Sequence, residues 1–253
     1  MVQEVTKVKI SGRQDELFKV DSVKEDFVFT DHVVEVFDDM LDRSVPYYGD
    51  VIRASANLLA SSLKKGDTVY DLGCSTGTTL LEFCRLLEDR DYSFVGIDSS
   101  PAMLEKARLK TELYTKKDSI RFLEEDITTM RHHDAGAFIL NYTLQFIRPL
   151  RRESFLQNLF DSLRPGGILL LSEKIISHDR RLNREYIDIY HRFKKSRGYS
   201  ELEIAKKREA LENVLIPFSM EENRTMLQNV GFEPVETFFQ WFNFCSFVAV
   251  KPA

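Results

Sequence analysis

Cysteine is scarce in this chain: Cys74, Cys84 and Cys245 are the only three in 253 residues. An odd number at wide spacing argues against a disulfide framework, and a reducing cytoplasm is the expected setting. An excess of positive charge is also missing. The 35 Lys and Arg stand against 40 Asp and Glu, for a net charge of -5 and a sequence pI near 5.7. That balance argues against a broad nucleic-acid footprint, so direct contact with nucleic acid is not expected. No apolar run approaches the ~20 residues that span a bilayer, so no membrane role is expected. The opening MVQEVTKVKI lacks the apolar core of a secretory signal. The five histidines show no ligand spacing. His132 and His133 are adjacent in a polar loop and read as loop surface rather than a zinc site, so no metal is expected. A complete G-x-G-x-x-G and a G-K-[ST] are both absent, which removes the usual dinucleotide and triphosphate signatures.

What is present centres on TVYDLGCSTG, from Thr68 to Gly77. Val69, Tyr70 and Leu72 read as a short buried strand. Gly73, Cys74, Ser75, Thr76 and Gly77 are small and permit a tight turn with close ligand approach. From Thr78, helical spacing places Leu80, Leu81, Phe83, Cys84 and Leu87 on one face. Strand, glycine loop and helix open a nucleotide-binding sheet, with the ligand at the helix N-terminus. The same loop also suits a plain tight connection. The next buried run, SFVGID from Ser93 to Asp98, adds to the ligand reading, because Asp98 lies 25 positions after Gly73. An acid there is placed to accept from ribose hydroxyls. A nucleoside ligand that needs no pyrophosphate points to S-adenosyl-L-methionine (SAM).

The rest of the chain fits around that unit. Residues 1–26 read as an irregular N-terminal extension, and 27–253 as one SAM-binding domain. Val33, Val34, Phe37, Met40 and Leu41 have helical spacing up to Pro46. Tyr47 and Tyr48 then read either as aromatic capping of the core or as a lid over a ligand. Asn57 to Leu63 ends another helix. Ser100 can cap a helix with Pro101 at its first position, and Met103, Leu104, Ala107 and Leu113 are expected on its inner face. Further strands are expected at Ile120 to Leu123, Ala135 to Leu140 and, after a turn at Pro165 to Gly167, Ile168 to Glu173. Pro149 to Leu163 reads as a helix. Asp126 and Ile127 follow the third strand, as a solvated turn or as adenine contacts, and Asn141 ends the fourth. Val235 to Phe239 and Phe244 to Val250 are too close together for a crossover and read as an antiparallel hairpin. The fold class is therefore α/β: a Rossmann-like, SAM-dependent methyltransferase fold, with a parallel sheet, helices on both faces and a C-terminal antiparallel hairpin. Residues 175–217 form an added helical insertion.

Within that insertion, a helix from Glu201 to Leu215 places Arg208 on one apolar line with Ile204, Leu211 and Leu215. A buried guanidinium needs an anion, either an internal acid or a ligand carboxylate. The run HRFKKSR from His191 reads as a solvated helix end. Asn141 is followed by Tyr142 and Thr143 rather than by the proline pair of amino-methylating enzymes, and no cysteine occupies a C5-nucleophile position. The chain thus has a SAM pocket without an obvious base for a methyl acceptor.

Several segments resemble the carboxy-S-adenosyl-L-methionine (carboxy-SAM) synthase family of bacterial wobble-uridine modification. They are RSVPYY from Arg43, VYDLGCSTG from Val69, IDSSPAM from Ile97, LNYTLQF from Leu140, LRPGG from Leu163, LSEK from Leu171, GYSELEIAKKREALENV from Gly198 and WFNFCSFVAVK from Trp241. RSVPYY, NYTLQF and the Gly198 segment are the specific ones. The resemblance runs from Phe27 to Lys251. It implies conversion of SAM and prephenate to carboxy-SAM and phenylpyruvate, with the product consumed by a separate tRNA carboxymethyltransferase, and it implies a homodimer. Residue by residue, it implies that Tyr48 contacts the ligand and that Gly73, Cys74 and Ser75 hold its amino-acid part. Asp98 and Ser99 would take the ribose, Asp126 and Ile127 the adenine, Asn141 the sulfonium region, and Arg208 the new carboxylate as the catalytic residue. Two positions depart from the family pattern: Tyr47, where glycine is common, and Ser99, where asparagine is. A conventional methyltransferase acting on a small molecule or tRNA is the alternative, and a non-catalytic carrier of a SAM derivative is another.

Overall fold

The run ending in Leu72 becomes the central strand of the molecule. In the computed structural model, residues 14–17, 31–87, 91–114, 117–131 and 133–253 are described. The extension at 1–26 therefore lies almost wholly outside the described residues, as does His132. The strands are β1 (Thr68–Leu72), β2 (Ser93–Asp98), β3 (Ile120–Glu124), β4 (Ala135–Asn141), β5 (Leu163–Lys174), β6 (Val235–Trp241) and β7 (Phe244–Val250). They form one sheet in the order β3-β2-β1-β4-β5-β7-β6. The first five are parallel, and β7 runs antiparallel to both β5 and β6.

Eight α-helices are described: α1 (Asp31–Ser44), α2 (Tyr48–Ser62), α3 (Thr78–Leu86), α4 (Pro101–Thr111), α5 (Pro149–Ser162), α6 (Arg180–Ser196), α7 (Glu201–Leu211) and α8 (Met220–Asn229). Strands buried on both faces must be apolar at every position, and β5 shows how the two faces are shared. Leu169 and Leu171 pack with Phe155, Leu156 and Leu159 of α5 and Leu227 of α8. Ile168 and Leu170, one residue out of phase, pack with Leu59 of α2 and Leu80 and Phe83 of α3. Among the described residues, no helix is long and apolar enough to cross a membrane.

Three expectations change. The Pro165–Gly167 segment is not a turn outside the sheet. It lies within β5, whose pairing with β4 shifts register between Ala135 and Ala137, and Gly166 takes φ +72° to allow the irregularity. Leu113 does not follow the inner face of α4, because the helix stops at Thr111; the leucine is 87% exposed and Thr111 is buried instead. Helix α8 is additional. Its sequence signal was a capping box, in which Ser219 accepts from the Glu222 amide while the Glu222 carboxylate accepts from the Ser219 amide.

The start of β4 depends on a missing side chain. A Cβ at Gly136 would lie 2.6 Å from the Asp67 Cβ, and the Asp67 carboxylate accepts from Arg164 Nε at 3.0 Å and Nη2 at 2.5 Å. Gly136→Ala is expected to destabilise the protein by about 1–3 kcal/mol through this overlap. The measurement is a lower urea midpoint with an unchanged slope.

Candidate active site

Strand order reverses between β1 and β4, and connections leaving the two strands on opposite faces open a crevice at their C-terminal ends. A cavity of about 840 Å³ occupies it, with further walls from α1, α6 and α7. This is near the top of the roughly 300–1,000 Å³ usual for small-molecule sites. Tyr48, Gly73, Cys74, Ser75, Asp98, Ser99, Asp126, Ile127, Asn141 and Arg208 all line this one cavity. Tyr47 does not. Its ring lies 6.1 Å from that of Phe239 and 6.4 Å from that of Trp241, on the hairpin side.

The loop after β1 is shaped by close approaches. Gly73 has φ +75°, and a Cβ there would lie 2.8 Å from the Thr143 side chain. The amides of Gly73 and Cys74 both donate to the Ile97 carbonyl, at 2.8 and 3.0 Å. The Ser75 amide donates to Asp98 Oδ2 and the Ser100 amide to Asp98 Oδ1, each at 2.9 Å. Asp98 thus ties the first loop to the second while still facing the cavity. Burial raises its carboxyl above the ordinary range, partly offset by these amides. From above, Asp38 of α1 accepts from the Thr76 hydroxyl at 2.6 Å, the Thr78 hydroxyl at 2.9 Å and Lys110 Nζ at 3.0 Å. Burial would raise the Asp38 carboxyl, but Lys110 and the two hydroxyls outweigh it and hold it below the ordinary range.

Thr79 links two of the expected contacts. Its hydroxyl lies 3.1 Å from that of Tyr48 and accepts from Asn141 Nδ2 at 3.3 Å. Asp126 is exposed and organises its own turn, accepting from the Thr128 amide at 2.8 Å and hydroxyl at 2.7 Å. Sequence reasoning passed over Asp71, which is 2% exposed and also lines the cavity. Burial, with the charge of Asp98 beside it, pushes its carboxyl up to about 7. The signal was an acid set among the apolar residues Val69, Tyr70 and Leu72 of the strand that leads into the glycine loop.

The far wall is cationic. The buried face of α7 carries Glu203, Ile204, Lys207 and Ala210, rather than the expected line through Arg208. The correction has a simple cause: the helix ends at Leu211, so Leu215 does not extend its apolar stripe. Arg208 is exposed at the cavity edge, and its neighbour Lys207 is the buried cation, donating to the Ser44 hydroxyl at 2.9 Å. Lys174 and Lys194 join this wall from β5 and α6. The acids Asp71, Asp98 and Asp126 stand at the ends of β1, β2 and β3, so the cavity is acidic at one end and basic at the other. Among the described residues, no group of His, Cys, Asp or Glu could hold a metal ion.

This sheet, glycine loop and second-strand acid define a SAM-dependent transferase of the methyltransferase fold. Residues 69–167 match the family described as Methyltransferase domain. Solved structures agree at the level of fold. The SAM-dependent methyltransferase SibL is 18% identical with a TM-score of 0.55, covering 79% of this chain and 55% of its own. An O-methyltransferase family protein from Burkholderia thailandensis is 16% identical with a TM-score of 0.60, covering 85% and 58%. Among curated proteins, the carboxy-S-adenosyl-L-methionine synthase of Desulfotalea psychrophila is 64% identical over 96% of this chain and 99% of its own length. Those of Wolinella succinogenes and Campylobacter fetus are 47% and 46% identical, each over 94% of this chain. The chain belongs to the carboxy-S-adenosyl-L-methionine synthase family.

Asp71 generates a test of the site's electrostatics. Its carboxyl is raised on folding, so the native state resists ionising it. The resulting cost appears as pH rises above about 4, where the unfolded carboxyl loses its proton, and is complete above about 7. Ligand-free Asp71→Asn is therefore expected to melt several degrees above wild type at pH 8, with the gap closing by about pH 4. Scanning calorimetry across that range reads it, and a gap that does not vary with pH would refute the assignment.

Proposed function

We propose that the protein converts SAM and prephenate to carboxy-SAM and phenylpyruvate, and that the product serves a separate tRNA carboxymethyltransferase at the wobble uridine. The carrying observation is the polarity of the cavity. Its acidic end, at β1 to β3, suits a ribose, an adenine amine and a cationic sulfonium. Its basic end, at β5, α6 and α7, suits an anionic second substrate, which a neutral methyl acceptor would not need. The relatives' name supports the same product.

In this reading Gly73, Cys74 and Ser75 hold the amino-acid part of SAM. Asp98 and Ser99 hold the ribose, Asp126 and Ile127 the adenine, and Tyr48 and Asn141 the region of the sulfonium. Prephenate aromatises, releasing carbon dioxide and hydroxide. The hydroxide removes a proton from the methyl group, which the sulfonium has acidified, giving water and an ylide carbon that bonds to the carbon dioxide. The side chains supply position and exclusion of water rather than a base. Arg208 orients the carboxylate that is lost and then neutralises the one that is formed. The enzyme acts as a cytoplasmic homodimer, with residues 27–253 working as one unit.

Incubation with SAM, with and without prephenate, followed by mass spectrometry tests the reaction. The expected product exceeds SAM by one carbon dioxide and appears only with prephenate. S-adenosylhomocysteine, formed when candidate acceptors are supplied instead, would establish a conventional methyltransferase. Arg208→Ala is expected to abolish carboxy-SAM formation while weakening SAM binding far less, and equal loss of both would count against its role.

A further inference from the structure

Two lysines on the basic wall have no anionic partner among the described residues. Lys174 Nζ lies 5.2 Å and Lys194 Nζ 4.6 Å from the centre of the Tyr190 ring. Neither ammonium makes a hydrogen bond or ion pair with a described residue, although Lys194 is only 5% exposed. The acid next in sequence to Lys174 cannot serve it. Successive strand residues point to opposite faces, and Glu173 turns away from the cavity: its carboxylate interacts with Arg152 and with the amides of Leu144 and Gln145. The cations around Lys194 aggravate the situation, since Lys207, Lys174 and Arg208 all act against its charge after burial does, and its amine is pushed down to about 7. A third donor is also unused. Tyr142 lines the cavity, and its buried hydroxyl has no hydrogen-bond partner among the described residues. Its ring and that of Tyr190 meet the same neighbour, Phe244, at 5.9 and 5.0 Å.

A cation held in a desolvated pocket without an anion is costly, and the buried Lys194 beside the half-buried Lys174 on one ring suits an anionic ligand. We propose that Lys174 and Lys194, with the Tyr142 hydroxyl, form a second carboxylate subsite, distinct from Arg208. This rests on the reading that prephenate is the donor. Prephenate carries two carboxylates: one leaves as carbon dioxide, and the other remains in phenylpyruvate. Arg208 faces the first and the lysine pair grips the second, while the adjoining surface of Tyr190, Phe244 and Ile187 takes the carbon ring. Such a subsite makes the enzyme selective for a dicarboxylate and fixes which carboxylate is aimed at the methyl group.

Phenylpyruvate retains only the second carboxylate and does not react, so it isolates the subsite from turnover. Calorimetric titration of phenylpyruvate into protein saturated with S-adenosylhomocysteine is expected to show binding. Lys194→Met and Lys174→Met should each weaken it by roughly tenfold or more, the scale of a lost charge-assisted bond, whereas Arg208→Ala should change it by less than about threefold. In turnover, the lysine variants should raise the KM for prephenate and leave that for SAM within about twofold. Methionine keeps the packing and removes an unpaired charge, so neither variant should melt below wild type. Phenylpyruvate affinity unchanged in both lysine variants, or absent from wild type, overturns the subsite. Absence of carboxy-SAM in the wild-type assay overturns the reaction instead, and the titration still reads the subsite on its own.

Discussion

The reversal of strand order beside β1 is the constraint from which the site follows. Once β2 and β3 lie on one side of β1 and β4 and β5 on the other, the loops at their C-terminal ends must part, and no sheet neighbour fills the gap. The permissive loop at Gly73–Gly77 sits at that gap because β1 ends there. Asp98, on the adjacent strand, becomes the natural tie between the two loops on its side. On the other side, β5 continues to Lys174, so its last residues project toward the crevice and pair with β7 rather than with another parallel strand.

The walls above the crevice are fastened by guanidinium groups. Arg152 is 1% exposed and donates to three carbonyls, those of Ile147, Gln145 and Ile216, at 2.9, 3.2 and 2.6 Å. It lies 4.3 Å above the Phe218 ring. Backbone carbonyls of irregular segments need donors when buried, and one planar fork supplies them for the loop after β4 and for the chain after α7. Arg43 plays the same part on the opposite wall. It donates to the carbonyls of Arg197 and Asp15 at 2.9 and 3.1 Å and stacks 3.9 Å from the Tyr199 ring centre. The RSVPYY segment is thereby joined to the GYSELEIAKKREALENV segment through its first residue.

Most of this architecture was legible because its signals are local. An apolar core marks each of the five parallel strands, although β5 begins at Leu163 rather than Ile168, Ser100 caps α4 as its sequence position suggests, and the last two strands are too close together to be anything but a hairpin. The ten residues named from the sequence fall around one cavity for the same reason: most lie at strand ends, where a Rossmann-like sheet must place them. Errors arose where tertiary context decides. The face of α7 that is buried depends on where the helix stops, and one residue of rotation exchanged Arg208 for Lys207. The Pro165–Gly167 segment looks like a turn in isolation and is drawn into the sheet by Ala135. Tyr142 and the lysine pair carry no sequence signature, because what distinguishes them is the company they keep, or lack, after folding.

The Tyr199 hydroxyl donates to the Asp15 carboxylate across 184 residues of sequence. This bond sets an order of events during synthesis. Asp15 leaves the ribosome 184 residues ahead of Tyr199 and has to wait until the segment just before α7 is made for its partner to exist. The five parallel strands, all made by Lys174, can assemble during that interval, since chains fold from the N-terminus as they emerge. Closure of so long a loop adds only slowly to the entropic cost, about 0.6 kcal/mol for each doubling of length. The binding crevice is thus left open to the solvent until α6 and α7 have been made. A nascent chain stalled before Gly198 would carry the whole nucleoside-facing half of the site and, of the basic wall, Lys174 and Lys194 without Lys207 or Arg208.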